Sequence, residues 1–125
     1  MNYLNTLLII LISVLFSCKK EDFSANTDCY RGKIVLSGIC SNITVQVTGG
    51  NLDPDLYEKN WVNPATNTAY ENVFRLLSVC SFPTEIKEGQ EFNFKIISQE
   101  EDADCAVCLA YYPTPTKGLY IKVCD

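Results

Sequence analysis

Alternation of apolar and polar side chains is clearest in three stretches. Asn42 to Thr48 puts Ile43, Val45 and Val47 on one side and Thr44, Gln46 and Thr48 on the other. Period two with β-branched residues predicts a half-buried strand. Glu91 to Ile97 sets Phe92, Phe94 and Ile96 inward against Glu91, Asn93 and Lys95, and Leu119 to Val123 repeats the pattern with Leu119, Ile121 and Val123. Tyr30 to Ser37 is β-branched at Ile34-Val35 and ends at Gly38. It predicts a hairpin with the Asn42 stretch, with Gly38 to Ser41 at the tip and Gly49-Gly50-Asn51 as the stop. Asn72 to Val79 fits helix and strand alike; its shortness, Val73, Phe74 and the Phe82-Pro83 stop favour strand. Ala106 to Tyr112 reads as a short extra strand ended by Pro113 and Pro115.

The intervals are polar. Asp53 to Lys59 has helix-start chemistry: Asp53 can cap, Pro54 suits the first helical position, and Asp55 and Glu58 favour the positive end. One or two turns are expected there. Asn60 to Thr68 reads as loop, Pro83 to Gly89 as a turn or short helical bend, and Gln99 to Asp104 as an acidic loop. Five main strands with a short helical insert predict an all-β domain. So few antiparallel strands expose edges unless they close, so a small five-stranded, OB-fold-like barrel is the expectation. The alternative is an immunoglobulin-like β-sandwich, which needs two further strands and a different Cys…Trp…Cys spacing.

The N-terminus follows another pattern. Leu4 to Phe16 is an uncharged apolar run of about 13 residues, closed by Ser17-Cys18 and then Lys19-Lys20-Glu21-Asp22. A membrane-spanning helix needs about 20 residues, whereas the apolar region of a signal peptide needs about 7 to 15. Leu15-Phe16-Ser17-Cys18 resembles a lipobox, in which the Cys becomes the lipidated first residue, although Phe16 is bulky for its place and Met1 to Thr6 carries no Lys or Arg. The Ser-Cys-Lys-Lys-Glu-Asp run is similar to the start of small Bacteroidota lipoproteins, and Lys20-Glu21-Asp22 resembles their signal for export to the outer leaflet. The resemblance ends near residue 22. It implies a signal peptide at 1–17 and a lipidated start at Cys18; the polar stretch that follows reads as a tether over 18–27, and the remaining length fits a single β domain at 28–125. The resemblance also implies a chain lipid-anchored in the outer membrane, surface-exposed, with Cys18 as the acylated residue.

Export changes the reading of the cysteines. With Cys18 assigned to lipid, Cys29, Cys40, Cys80, Cys105, Cys108 and Cys124 remain, an even set that predicts three structural disulfides. The barrel layout pairs Cys80 with Cys124, at the ends of the adjacent parallel third and fifth strands. It pairs Cys29 and Cys40 with Cys105 and Cys108 in unspecified order. Cys105-Ala106-Val107-Cys108 is a C-x-x-C, but the preceding Asp102 and Asp104 disfavour a thiolate, so no redox role is expected.

Charge and composition narrow function further. The net charge of −5 disfavours nucleic acid, and the absence of histidine removes the commonest general base and metal ligand. No nucleotide-binding or nucleophile-elbow motif occurs. The acidic loop lacks the glycine and distal glutamate of an EF-hand. The expectation is a non-catalytic module without metal or cofactor that binds a protein or glycan. Trp61, Tyr111 and Tyr112 are its candidate contact residues, because exposed rings stack on sugars or anchor interfaces. The alternative is a structural or inhibitory envelope lipoprotein capping a partner with a rigid loop over Ala110 to Lys117.

Overall fold

A computed structural model describes residues 29–101, 104–106 and 108–125. Cys18, the apolar run and the tether lie outside the described residues. The fold is all-β. Its strands are β1 (Tyr30–Ser37), β2 (Ile43–Gly49), β3 (Glu58–Asn63), β4 (Thr68–Leu76), β5 (Glu91–Ile96), β6 (Gly118–Leu119) and β7 (Ile121–Val123). All belong to one hydrogen-bonded sheet in the order β3-β4-β2-β1-β5-β7, unlike the two-sheet sandwich. Its pairs are antiparallel except that β6 runs parallel to β4, with Arg75 opposite Gly118 and Leu76 opposite Leu119.

The Leu119 to Val123 strand is thus divided between two partners. Tyr120 separates β6, on β4, from β7, on β5, where Ile96 faces Ile121 and Phe94 faces Val123. Beyond Leu76 a side chain continues the β4 seam. The buried Ser78 hydroxyl donates to the Ile121 carbonyl at 2.7 Å and accepts from the Ile121 amide at 2.9 Å.

The core gathers the inward faces: Ile34, Val45, Phe74, Phe92, Phe94 and Ile121, with Leu52 and Phe82 from loops. Phe94 is its hub, with ring centroids 5.7 Å from Phe74 and 6.0 Å from Phe92. Gly32 lies beneath it; a Cβ there would sit 3.0 Å from both Phe94 Cε1 and Val45 Cγ1. Strict alternation fails at three places. In β4 the neighbours Val73 and Phe74 are both fully buried. The register of β1 against β2 slips between Ile34 and Leu36, and beside that bulge Thr44 and Val45 are both fully buried. At the end of β5, Ile96 is 37% exposed rather than inward.

The insert differs most from expectation. Asp53 caps as its chemistry implies, its Oδ1 accepting from the Asp55 amide at 2.9 Å. Only one 3-10 turn forms, Pro54–Leu56, because it buries no residue and Tyr57 is already extended. A single turn without tertiary packing does not propagate. Residues 60–68 are a hairpin rather than a loop. Asn63 organises its turn: its Oδ1 accepts from the Ala65 amide at 2.9 Å and its carbonyl from the Asn67 amide at 2.7 Å. Trp61 then stacks on its cross-strand neighbour Tyr70 at 5.7 Å and 29°. The extra strand expected at Ala106 to Tyr112 is not formed; the described residues there pair with no strand.

The six cysteines bond as Cys29–Cys124, Cys40–Cys108 and Cys80–Cys105. The second agrees with the expected set. The expected Cys80–Cys124 pair and the expected bridge from Cys29 to Cys105 or Cys108 are both wrong, and the reason lies in the division of the last strand. Val123 and Tyr30 flank the same residue, Phe94, on opposite edges of β5, which brings Cys124 to Cys29. The chain after Leu76 turns away at residues 79–82 and carries Cys80 to Cys105.

Candidate functional site

The candidate site is a rim where two loops are bonded together. After β1 the chain makes a single tight turn, Ile39–Ser41, in which Cys40 and Ser41 take left-handed φ values of 58° and 57°. Non-glycine residues adopt that region at a cost. The turn is closed by the Gly38 amide donating to the Asn42 carbonyl at 2.9 Å and by the Asn42 Nδ2 donating to the Ile39 carbonyl at 2.7 Å. This geometry aims Cys40 at Cys108.

The partner segment is held at several points. Cys105 is bonded to Cys80, and the Glu100 carboxylate accepts from the Cys80 and Ser81 amides. Cys108 is bonded to Cys40, and Asn42 Nδ2 reaches the Ala110 carbonyl at 3.3 Å. The Tyr112 ring lies against the Gly38 backbone, where a Cβ would come within 2.5 Å of Tyr112 Cδ1. Further on, Pro115 is buried and the Thr116 amide donates to Glu58 Oε2 at 2.7 Å. Residues 108–115 make no turn or bend.

Held this way, the segment turns Tyr112 and Pro115 inward and leaves Leu109 and Tyr111 outward. Leu109 is 99% exposed, Tyr111 83% and Ile39 60%. Leu109 and Tyr111 line a shallow depression of about 290 Å³, together with Ser41, Asn42, Arg75 and Val79. A cluster of protruding apolar groups beside a guanidinium and an amide is suited to binding a chain with carbonyl or carboxylate groups between apolar side chains.

The three candidate contact residues fare differently. Tyr111 is at the rim. Tyr112 is half-buried and serves to anchor the segment on Gly38. Trp61 is half-buried against Tyr70 on the β3–β4 hairpin and lines no part of the depression. Ile39, Asn42, Arg75 and Leu109 were not singled out from sequence. The adjacency of Ile39 to Cys40 and of Leu109 to Cys108 was the available signal, since a residue beside a cross-linked cysteine is constrained in where it can turn.

The acidic loop contributes structure. Glu100 caps the turn at Cys80, and Glu101 pairs with Lys122 at 2.8 Å. The hydrogen bond from Lys122, and then its charge, hold the Glu101 carboxyl below the usual carboxylate range and raise the Lys122 ammonium in turn. Cys105 and Cys108 of the C-x-x-C bond to different partners rather than to each other.

Compared with known proteins, the chain matches no family model, and no curated protein or solved structure matches it. Among the described residues no helix is long and apolar enough to cross a membrane.

Proposed function

We propose that the chain is a lipid-anchored cell-envelope interaction module that binds a macromolecular partner through the Cys40–Cys108 rim and performs no catalysis. The observation that carries this reading is the exposure of Leu109 and Tyr111 on a segment tied down by two disulfides. Solvent-exposed apolar groups on a rigid backbone lose little entropy on docking, so their burial goes into affinity. The lipobox-like Leu15 to Cys18 run supports acylation at Cys18 and residence in the outer membrane, facing outward. Several acyl chains on one residue would hold the chain durably, since each buried CH₂ contributes about 0.8 kcal/mol.

The pairings of residues 118–123 support a nearly closed, OB-fold-like barrel. One continuous segment meets β4 through β6 and β5 through β7, which would leave the β3–β4 hairpin projecting. The placement of the rim fits an anchored module. The tether would enter at Cys29, before β1, while Cys40 follows β1. Eight residues of strand separate the two, about 25 Å if straight, so the rim is carried away from the anchoring leaflet.

Two measurements test the reading. Metabolic labelling with a radioactive fatty acid should mark the native chain and leave Cys18→Ala unlabelled. A photo-crosslinking residue in place of Tyr111 should give a discrete adduct in intact cells, and the same residue in place of the exposed Val62 should give none. Equal adducts at both positions, or none at either, would remove the rim as the binding face.

A further inference from the structure

Resting on that reading, we infer that Cys108 to Tyr111 is a substrate-like loop for a serine endopeptidase with an apolar primary pocket, which Leu109 enters and blocks. Endopeptidases take a peptide as an extended strand, pairing its main chain and seating one side chain in a specificity pocket. The segment meets each requirement. It runs from Cys108 to Pro115 without turn or bend. Among the described residues, no hydrogen bond is made by the main chain of Leu109 or Tyr111, which leaves their amides and carbonyls without a competing partner. Leu109 projects at 99% exposure, a size and polarity suited to a hydrophobic slot rather than to an acidic pocket.

What separates an inhibitor from a substrate is the fate of the peptide bond, here Leu109–Ala110. An enzyme serine attacks the Leu109 carbonyl, the C–N bond breaks, and the Ala110 nitrogen takes up the proton as the leaving amine. In a free peptide that amine diffuses away. Here it cannot. Cys108 is bonded to Cys40 on one side of the bond, and the piece from Ala110 onward is bonded through Cys124 to Cys29. Asn42 Nδ2 also holds the Ala110 carbonyl. The new amine stays beside the acyl group at high effective concentration and re-forms the bond faster than water removes the acyl group. The rim is cross-linked on both sides before an enzyme meets it, so docking costs less conformational entropy than for a free peptide.

The test uses the full oxidised chain in detergent micelles against chymotrypsin, subtilisin and trypsin. The native chain should inhibit the first two at sub-micromolar concentration and leave trypsin active. Leu109→Lys should lose at least a hundredfold against chymotrypsin, about 2.8 kcal/mol, and gain inhibition of trypsin, whose pocket takes cations. The position is fully exposed, so the variant should fold as the native chain does; its unfolding midpoint checks this. Replacing both Cys40 and Cys108 by Ser should convert the inhibitor into a substrate, cut at Leu109–Ala110 with the mass gain of one water. The inference is overturned if the native chain inhibits neither apolar-specific enzyme, or if Leu109→Lys leaves the inhibition pattern unchanged. A native chain without inhibition that still crosslinks at Tyr111 in cells would reject the peptidase partner alone. Loss of the Tyr111 adduct as well would reject the binding face with it.

Discussion

The three disulfides differ in span, but the structure predicts that removing any one of them costs nearly the same. Their sequence separations are 95 for Cys29–Cys124, 68 for Cys40–Cys108 and 25 for Cys80–Cys105. Treated independently, chain-entropy arithmetic gives about 4.7, about 4.4 and about 3.5 kcal/mol. The bridges are nested, however. With Cys40–Cys108 intact, the unfolded chain between Cys29 and Cys124 is already short-circuited. About 11 residues run from Cys29 to Cys40 and about 16 from Cys108 to Cys124. The Cys29–Cys124 bridge therefore closes an effective loop of roughly 27 residues, and the same circuit read from the other side applies to Cys40–Cys108. Both then contribute about 3.6 kcal/mol, level with Cys80–Cys105. Guanidinium unfolding of three paired Cys→Ala variants would measure this. The expected stability losses agree within about 0.5 kcal/mol. A loss for Cys29–Cys124 more than 1 kcal/mol above that for Cys80–Cys105 would refute the nested-loop reasoning.

Three further outcomes follow from the core and the surface. Ser78→Ala should destabilise by about 2 kcal/mol, because it strands both the amide and the carbonyl of Ile121 without a partner; equilibrium unfolding reads it. Thr44→Val should stabilise by about 1 kcal/mol, since the buried Thr44 hydroxyl has no hydrogen-bond partner among the described residues; a lowered melting temperature would contradict this. The Glu101–Lys122 pair should leave a pH signature. The Glu101 carboxyl titrates below its unfolded value, so its stabilising contribution is present above the unfolded pKa and fades as pH falls through the folded one. Carbon-detected NMR titration should find Glu101 depressed in the native chain and back in the ordinary range in Lys122→Gln.

How much of this was legible in the chain depends on which forces acted locally. Phe92, Phe94, Leu119 and Ile121 were readable as core because period two with large apolar groups leaves one solution for a strand with one buried face. The Asp53 cap was readable for the same local reason. The hairpin at residues 58–76 was readable only from Asn72 onward, in the second half of β4. Its Asn and Thr content argues against strand, and what overrides it is the Trp61–Tyr70 stack and the Asn63 turn, both made only once the strands are paired. Thr44 escaped because a bulge in the neighbouring strand, invisible in its own alternation, turned it inward.

The rim was misread for a deeper reason. Residues 106–112 are apolar enough to suggest a strand, and a strand would seek a partner edge. Here the cross-links decide the matter before pairing can. Cys108 is drawn to a turn whose left-handed residues aim Cys40 outward, and Cys105 is drawn to a turn capped by Glu100. A chain tethered at both points three residues apart cannot shift along the sheet to bury Leu109. Burying that side chain would contribute about 2 kcal/mol, whereas each bridge it would have to break is worth about 3.5 kcal/mol. Covalent geometry therefore outweighs the hydrophobic term at this one place. An apolar group held in water against its own preference is a group available to a partner, and that inequality is why the proposed contact face is drawn around the exposed leucine rather than the paired tryptophan.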